Sequence, residues 1–254
     1  MNSVPMILVS NDDGIHCEGL RALSDGLASL DEVVVVAPDR ERSAVSHSLT
    51  LHRPLRVEEL RAGWYAVNGT PTDCVLLGVN ALLPERPRLI VSGINRGANL
   101  GDDLHYSGTV SAAMEGTLLG IPSIAFSLAA RKDFRYGPAA RFAERLAAYV
   151  LACGLPEGTL LNVNVPPTEE GELPRGFRLA RHGRRRYSDT IAEKIDPRGR
   201  TYYWIGGDEV DGPADEGTDF AAIAAGLISV TPIHLDLTNH ACWKHLSDMD
   251  LRWP

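Results

Sequence analysis

The chain has 254 residues, and 25 Lys and Arg stand against 33 Asp and Glu, which gives a formal net charge of −8. Hydrophobic residues make up 44% of the chain and charged residues 23%, a composition that excludes disordered, collagen-like and coiled-coil proteins. The negative charge disfavours binding to a nucleic-acid duplex, because the protein would repel the phosphate backbone.

Cysteine usage and the N-terminal segment predict a cytoplasmic protein without a membrane anchor. The four cysteines, at positions 17, 74, 153 and 242, have no close pairing and no CxxC spacing, so neither a disulfide framework nor a zinc ribbon is indicated. Residues 1–10 lack the basic start of a signal peptide. No segment approaches the roughly 20 apolar residues that a membrane-spanning helix needs.

Short apolar segments alternate with helix-period segments up to about residue 165, which predicts strand–helix–strand units and a parallel sheet. Strands are expected at residues 6–10, 33–37, 89–92, 121–126 and 160–165. Because these segments are apolar throughout, both faces of the sheet should be covered by helices. Three amphipathic stripes predict such helices: Leu20, Leu23 and Leu27; Val75, Val79 and Leu82; and Phe142, Leu146 and Tyr149.

The character of the chain changes after Pro166 and Pro167. Residues 175–200 hold nine Arg and Lys against three Asp and Glu among many turn residues, which favours a solvated basic hairpin or arm over a ligand-binding patch. Residues 218–237 predict a helical segment followed by an alternating strand, a tail that docks back on the core. We therefore predict a single α/β domain over 1–254, with the mostly parallel sheet in a core at 1–166 and the arm and tail at 167–254.

Polar residues follow three of the predicted strands, at the edge of a parallel sheet where ligands bind. Asp12 and Asp13 are adjacent carboxylates, which repel each other unless a cation neutralises them. Taken alone, the segment 11–14 is more often a turn or a helix cap than a metal site, so the pair by itself is a weak signal. Ser43 and Asn95 add neutral oxygens from the two neighbouring strand ends, which completes an all-oxygen set suited to Mg²⁺ or Mn²⁺.

The segment around Ser107 predicts a site for phosphate. Ser107 is expected to cap a helix, and Gly108 removes a side chain that would block the approach of a ligand. Backbone N–H groups and the hydroxyls of Ser107 and Thr109 would then lie at the positive end of the helix dipole. An ordinary capped helix has the same local sequence, and neither a GK[ST] nor a GxGxxG motif is present.

Three other segments are weaker candidates. Residues 46–48 (Ser-His-Ser) suggest nucleophilic catalysis by a serine and a histidine, but no GxSxG turn is present. Residues 69–74 predict the end of a strand, a turn and a helix cap that borders the substrate pocket. Near the C-terminus the spacing of potential zinc ligands matches no familiar site, which favours a solvated tail; these ligands are His234, His240, Cys242 and His245.

Taken together, these segments resemble the SurE family of stationary-phase survival proteins and 5'-nucleotidases. The resemblance rests on ILVSNDDG (7–14), VVAPDRERSAVSHSLTL (35–51), GTPTDCV (69–75), VSGINRGANLGDD (91–103) and YSGTVSAAMEG (106–116), with further likeness at 162–166, 196–206 and 216–232. It implies a Rossmann-like, three-layer fold and a divalent-metal phosphomonoesterase that acts mainly on nucleoside monophosphates, with some exopolyphosphatase activity. It also implies homodimers or homotetramers that exchange C-terminal arms.

Carried over by motif, the resemblance implies one divalent ion per subunit, held by Asp12, Asp13, Ser43 and Asn95. Asn99 and the turn formed by Ser107, Gly108 and Thr109 correspond to the phosphate-facing segment of the family. Ala98 stands where proline is expected in many relatives, which makes this loop less rigid.

The resulting hypothesis is a 5'-nucleotidase in which Asp12 or Asp13 orients or deprotonates the attacking water. Two alternatives remain open: an exopolyphosphatase whose basic segment 175–200 guides the polyanion, and a nucleotide sensor without catalysis. The apolar residues 202–205 of the arm should pack on a neighbouring subunit, and Arg184 to Arg186 should pair with acidic surface there. The alternative for the arm is a hairpin that folds over its own sheet.

Overall fold

The computed structural model describes residues 5–184, 191–205, 214–247 and 249. Its main sheet contains nine strands: β1 (Met6–Ser10), β2 (Glu32–Pro38), β3 (Val57–Arg61), β4 (Trp64–Val67), β5 (Leu89–Arg96), β6 (Ser123–Leu128), β7 (Thr159–Val165), β8 (Phe177–Leu179) and β11 (Ile228–His234). A separate hairpin consists of β9 (Ile191–Ile195) and β10 (Thr201–Ile205). The helices are α1 (Glu18–Leu27), α2 (Pro71–Leu77), α3 (Gly108–Leu118), α4 (Gly137–Cys153), α5 (Asp219–Ala224) and α6 (His240–Ser247), with a π-helical turn at Gly78–Leu82 and a 3₁₀ turn at Gly101–His105.

The order of the strands in the main sheet is β3-β4-β2-β1-β5-β6-β7-β11-β8. From β4 to β7 all neighbours are parallel, while β3 and β11 run antiparallel to β4 and β7. This arrangement confirms the predicted mostly parallel α/β sheet and all five predicted strands, with ends displaced by a few residues. The exposed strand β3 was not predicted, because its sequence VEELR has no buried, apolar character.

Helices cover both faces of the sheet, which gives the predicted three layers. The side chains of Ile7 and Val9 point to one face of β1 and pack with Leu20 of α1 and Ala143 of α4. Leu8, between them, points to the other face and packs with residues of α2 and α3 such as Val75 and Ala112. Because successive side chains of a strand point to opposite faces, one strand contributes apolar residues to the hydrophobic cores on both sides of the sheet.

The turn before α2 forms as the sequence predicts. Thr70 accepts a hydrogen bond from the backbone N–H of Asp73, and the Asp73 carboxylate accepts one from the N–H of Thr70, a capping box that satisfies two helix N-terminal donors. Pro71 occupies the first helical position, where its missing N–H costs nothing. This segment follows β4 and lies outside the lining of the cavity described below.

The C-terminal tail adds α5 and β11, and β11 joins the main sheet beside β7, as expected from residues 218–237. Part of the basic segment 175–200 departs from the expected hairpin or arm, because residues 177–179 form β8, which joins the main sheet beside β11. The hairpin follows as β9–β10, whose described strands pair with each other and not with the main sheet. Arg185 and Arg186 lie outside the described residues, so the predicted pairing of these arginines stays a prediction. Within the described residues no helix is both long and apolar enough to cross a membrane.

Candidate active site

A cavity of about 410 Å³ opens at the carboxyl ends of β1 and β5. Six of the eight predicted site residues line it: Asp12, Asp13, Ser43, Asn95, Asn99 and Ser107. The structure places the other two, Gly108 and Thr109, at the buried start of α3, against Asp12. Three loops that are far apart in the sequence thus meet at one edge of the sheet, as expected for strand ends in an open α/β sheet.

Asp12 is a buried carboxylate at the end of β1, with only 5% of its surface exposed. Burial, with a smaller contribution from the neighbouring charge of Asp13, raises the pKa of Asp12 to about 6 against hydrogen bonds from Thr109 that lower it. The Thr109 hydroxyl donates to Oδ1 of Asp12, and the Thr109 backbone also contributes. The energetic cost of this buried charge is what a bound cation would relieve.

Asp13 also lines the cavity but is only partly buried, and this burial raises its pKa. The backbone N–H of Arg96 donates to Oδ2 of Asp13 at 3.0 Å, and the charge of Arg96 opposes the effect of burial. The Arg96 guanidinium is held over the ring of Phe134, at 5.2 Å from its centroid. The two adjacent aspartates therefore have different surroundings: Asp12 faces the start of α3, and Asp13 faces the end of β5.

A bulge in β5 positions Asn95. The register with β6 shifts between Ser92 and Asn95, and Gly93 in the bulge has a φ of +126°. A Cβ atom on Gly93 would lie 2.2 Å from the Phe126 carbonyl oxygen, so only glycine fits. The Asn95 Nδ2 donates to the carbonyl of Gly97 at 3.0 Å, which leaves Oδ1 as the atom that can bind a ligand.

Ser43 reaches the cavity from the loop after β2. Its hydroxyl donates to Oε1 of Glu41 at 2.7 Å, so the lone pairs of Oγ remain for a cation. Glu41 itself lines the cavity, and sequence reasoning missed it because it stands among charged loop residues without a distinguishing pattern.

The start of α3 supports Asp12 more directly than it supports a phosphate. Ser107 caps the helix as predicted, accepting a hydrogen bond from the N–H of Val110 at 3.1 Å. Gly108 is needed because a Cβ atom there would lie 2.8 Å from the Cβ of Asp12. The Thr109 hydroxyl, which we expect from the sequence to face phosphate, is engaged with Asp12. The positive end of the helix is therefore directed at a protein carboxylate.

Asn99 is held by a network that sequence reasoning did not identify. Its backbone N–H donates to Oδ1 of Asn164 at 2.8 Å, and its carbonyl accepts from Nδ2 of both Asn162 and Asn164. The Nδ2 of Asn99 donates to the Ser127 hydroxyl at 2.7 Å, which leaves Oδ1 without a bond to these neighbours. The available signal was the presence of two asparagines in an otherwise apolar, buried strand, where unpaired amides would be costly.

The charge of the cavity favours a cation. Four carboxylates line it, whereas Arg96 is the only basic residue in its described lining; the carboxylates are Asp12, Asp13, Glu41 and Asp103. An anionic phosphate ester would be repelled by this set of charges unless a cation were bound. The carboxylate, amide and hydroxyl oxygens present are the ligands that Mg²⁺ and Mn²⁺ prefer, so the residues fit a hard divalent ion.

The weaker sequence candidates find other surroundings. His47 contacts the Glu115 carboxylate at 2.9 Å. Cys17 was not a sequence candidate but lines the cavity; it caps α1 through its sulfur, and burial raises the pKa of its thiol to about 11, which makes it a poor nucleophile. His240, Cys242 and His245 lie on α6, whose described side chains are all exposed.

The pKa of Asp12 leads to a stability prediction for the metal-free protein. Because the folded-state pKa of about 6 exceeds the ordinary pKa of an aspartate, about 3.9, the folded state binds the proton more tightly, and its free energy of unfolding falls as pH rises from about 4 through 6. With chelator present, we expect Asp12→Asn to be more stable than the unsubstituted protein at pH 8, on the order of 2 to 3 kcal/mol, and little different at pH 4. Urea unfolding at both pH values measures this, with the exposed Asp25→Asn as a control. An equal effect at both pH values would contradict it.

The fold and the cavity define a Rossmann-like α/β protein with an acidic site at the carboxyl ends of its parallel strands. Comparison with known proteins identifies the family to which the chain belongs. The family model described as Survival protein SurE matches residues 7–189. The chain therefore belongs to the SurE family.

Individual relatives extend the match to nearly the whole chain. The 5'-nucleotidase SurE of Geobacter sulfurreducens is 58% identical over 246 residues, which cover 96% of this chain and 94% of the relative. The 5'-nucleotidase SurE of Syntrophotalea carbinolica is 57% identical over 250 residues, covering 98% and 97%. The crystal structure of the SurE protein from Aquifex aeolicus matches with a TM-score of 0.86 at 46% identity, covering 96% of this chain and all of that one.

Proposed function

We propose that the protein is a divalent-metal-dependent 5'-nucleotidase, a phosphoric monoester hydrolase that converts nucleoside 5'-monophosphates to nucleoside and phosphate. The observation that carries this proposal is the adjacent carboxylate pair of buried Asp12 and partly buried Asp13, in a cavity with neutral oxygen donors and a strong excess of negative charge. The names of the relatives, 5'-nucleotidase SurE, support the same activity.

Asp12, Asp13, Ser43 and Asn95 would hold one Mg²⁺ or Mn²⁺ ion. When bound, such an ion neutralises phosphate charge and lowers the pKa of a bound water. A carboxylate oxygen of Asp12 or Asp13 would accept one proton of the attacking water, whose oxygen bonds to phosphorus while the ester P–O bond breaks. The 5'-oxygen of the nucleoside leaves with the bonding electron pair and takes up a proton, so that the products are the nucleoside alcohol and phosphate. The protein's own contribution is to hold these carboxylates, which it does through Thr109 and the Arg96 backbone.

The phosphate would face Asn99 and Ser107, which also line the cavity. Asn99 is suited to this position because the β7 asparagines hold its backbone on both sides. Gly108 and Thr109 belong to the same segment but act through Asp12, Gly108 by allowing the close approach and Thr109 by donating its hydroxyl. Oxygens of the phosphate are thereby held in a fixed orientation relative to the carboxylate pair.

Phosphate release from AMP, GMP and polyphosphate, each with and without Mn²⁺, tests the function. We expect metal-dependent release with the highest kcat/KM on a nucleoside monophosphate. A higher value on polyphosphate would overturn the substrate assignment in favour of an exopolyphosphatase, and nucleotide binding without turnover would identify a sensor.

We also propose that the protein is a cytoplasmic homodimer or homotetramer that exchanges C-terminal arms. All four cysteines are free thiols, which suits a reducing compartment. In the hairpin, the exposed fractions of Tyr203 and Trp204 are 59% and 64%, an apolar surface that is unusual for a monomer. A second copy of the chain would cover it.

Light scattering tests the exchange at micromolar concentration. We expect the full chain to be a dimer or tetramer and a variant without residues 183–207 to lose that state. The double substitution Tyr203→Ser, Trp204→Ser should weaken assembly, whereas Tyr149→Ser, an exposed tyrosine on α4, should leave it unchanged. A monomeric full chain would refute the proposal, and a truncated chain of unchanged size would place the interface elsewhere.

A further inference from the structure

A second cluster of metal-ligating side chains lies outside the lining of the acidic cavity. It consists of Asp102 and His105 from the 3₁₀ turn and His182 from the segment after β8. One ligand atom from each residue lies within 4.8 Å of the others, close enough for side-chain rotation to bring all three about 2 Å from one ion. Nothing in the proposed phosphatase chemistry uses these residues.

The geometry of the two imidazoles suits a metal. The Nε2 of His182 donates to the carbonyl of Gly101 at 2.7 Å, which leaves Nδ1 with the lone pair. Metal-binding histidines commonly donate the other ring N–H to a backbone carbonyl in this way, because the bond fixes the tautomer and the ring orientation. The rings of His105 and His182 meet edge-on, with centroids 6.2 Å apart and an angle of 71° between their planes.

A buried carboxylate holds together the two backbone segments that carry the cluster. Asp219 is fully buried, and its Oδ2 accepts from the N–H of Gly101 at 2.9 Å while its Oδ1 accepts from the N–H of Gly183 at 3.0 Å. Gly101 directly precedes Asp102, and Gly183 directly follows His182. The ligand-bearing segments are therefore fixed relative to each other before any ion binds, which lowers the entropic cost of binding.

The cluster also has an open side. His105 and His182 line a cavity of about 490 Å³, which His47 and His234 also line. A water molecule or an additional ligand can enter there and complete the coordination of an ion held by three protein ligands.

We propose that Asp102, His105 and His182 form a second metal site, which binds a borderline divalent ion of the Zn²⁺ or Co²⁺ type. Two imidazole nitrogens and one carboxylate favour such ions, whereas the oxygen set at Asp12 and Asp13 favours Mg²⁺ and Mn²⁺. An ion there links the 3₁₀ turn that precedes Ser107 to the segment after β8. Its binding stabilises this connection and takes no part in ester cleavage.

Equilibrium dialysis with Zn²⁺ and absorption spectroscopy with Co²⁺ test the site in the full chain. The double variant Asp12→Asn, Asp13→Asn removes the proposed hard-metal site, so the binding that remains reports the second one. We expect one Zn²⁺ per chain in this background, affinity at least about 10-fold weaker with His105→Ala or His182→Ala, and unchanged affinity with His52→Ala, an exposed histidine elsewhere.

A second arrangement guards against poor folding of the background variant. The single histidine variants are compared in the otherwise unsubstituted protein, with excess Mg²⁺ present to occupy the Asp12–Asp13 site. The Co²⁺ absorption bands should disappear in both histidine variants and persist with His52→Ala. Zn²⁺ affinity and Co²⁺ bands that are the same in all three variants would overturn the proposal.

Discussion

Asp13→Asn is expected to lower kcat by at least about 100-fold without disrupting the fold. The substitution removes a charge whose proposed partner is a bound cation rather than a core group, so its effect should fall on the chemical step. The hydrogen bond from the Arg96 N–H can still be accepted by the asparagine Oδ1, so the end of β5 keeps its partner. Steady-state kinetics at saturating Mn²⁺ and a thermal unfolding curve measure the two parts of this prediction.

Asp25→Asn is the matched control for Asp13→Asn, because Asp25 is an exposed aspartate on α1. Its kcat should equal that of the unsubstituted protein. If Asp13→Asn keeps normal kcat when metal is saturating, Asp13 has no part in catalysis and the assignment of the carboxylate pair is wrong.

Complete and reversible loss of activity on chelation is the second large effect that we expect. The acidic cavity repels a phosphate ester when no cation is bound, so EDTA should reduce phosphate release to the background rate. Adding Mg²⁺ or Mn²⁺ in excess should restore it, since the proposed ligands are all oxygen atoms.

The identity of the restoring ion is informative. Activity that survives exhaustive chelation would exclude a metal-dependent mechanism. Restoration by Zn²⁺ alone would indicate that the nitrogen-containing cluster at His105 and His182, rather than the oxygen set, supports turnover.

The sheet could be predicted because its parallel strands are buried on both faces and so leave a continuous apolar run in the sequence. Strands β1 and β7 are examples, with six of the seven residues of β7 buried. The convergence of the loops after β1, β2 and β5 follows from the same topology, because parallel strands place their carboxyl ends at one edge.

Other features depend on contacts between distant segments, which local patterns do not encode. The engagement of Thr109 with Asp12 and the hold of Asn164 on Asn99 each join residues more than 60 positions apart. The cluster of Asp102, His105 and His182 likewise could not be predicted, because it depends on the course of the chain after β8. The sequence indicated that the Thr109 hydroxyl lies at the start of a helix. It could not show that this hydroxyl donates its hydrogen bond to a protein carboxylate and not to a ligand.

Anomalous diffraction from crystals grown with Mn²⁺ tests the central claim most directly. We predict a strong manganese peak in the acidic cavity, within bonding distance of carboxylate oxygens of Asp12 and Asp13 and close to Ser43 Oγ and Asn95 Oδ1. Crystals of the Asp13→Asn variant should show a much weaker peak at that position. A peak only at Asp102, His105 and His182, or none in the acidic cavity, would contradict the account.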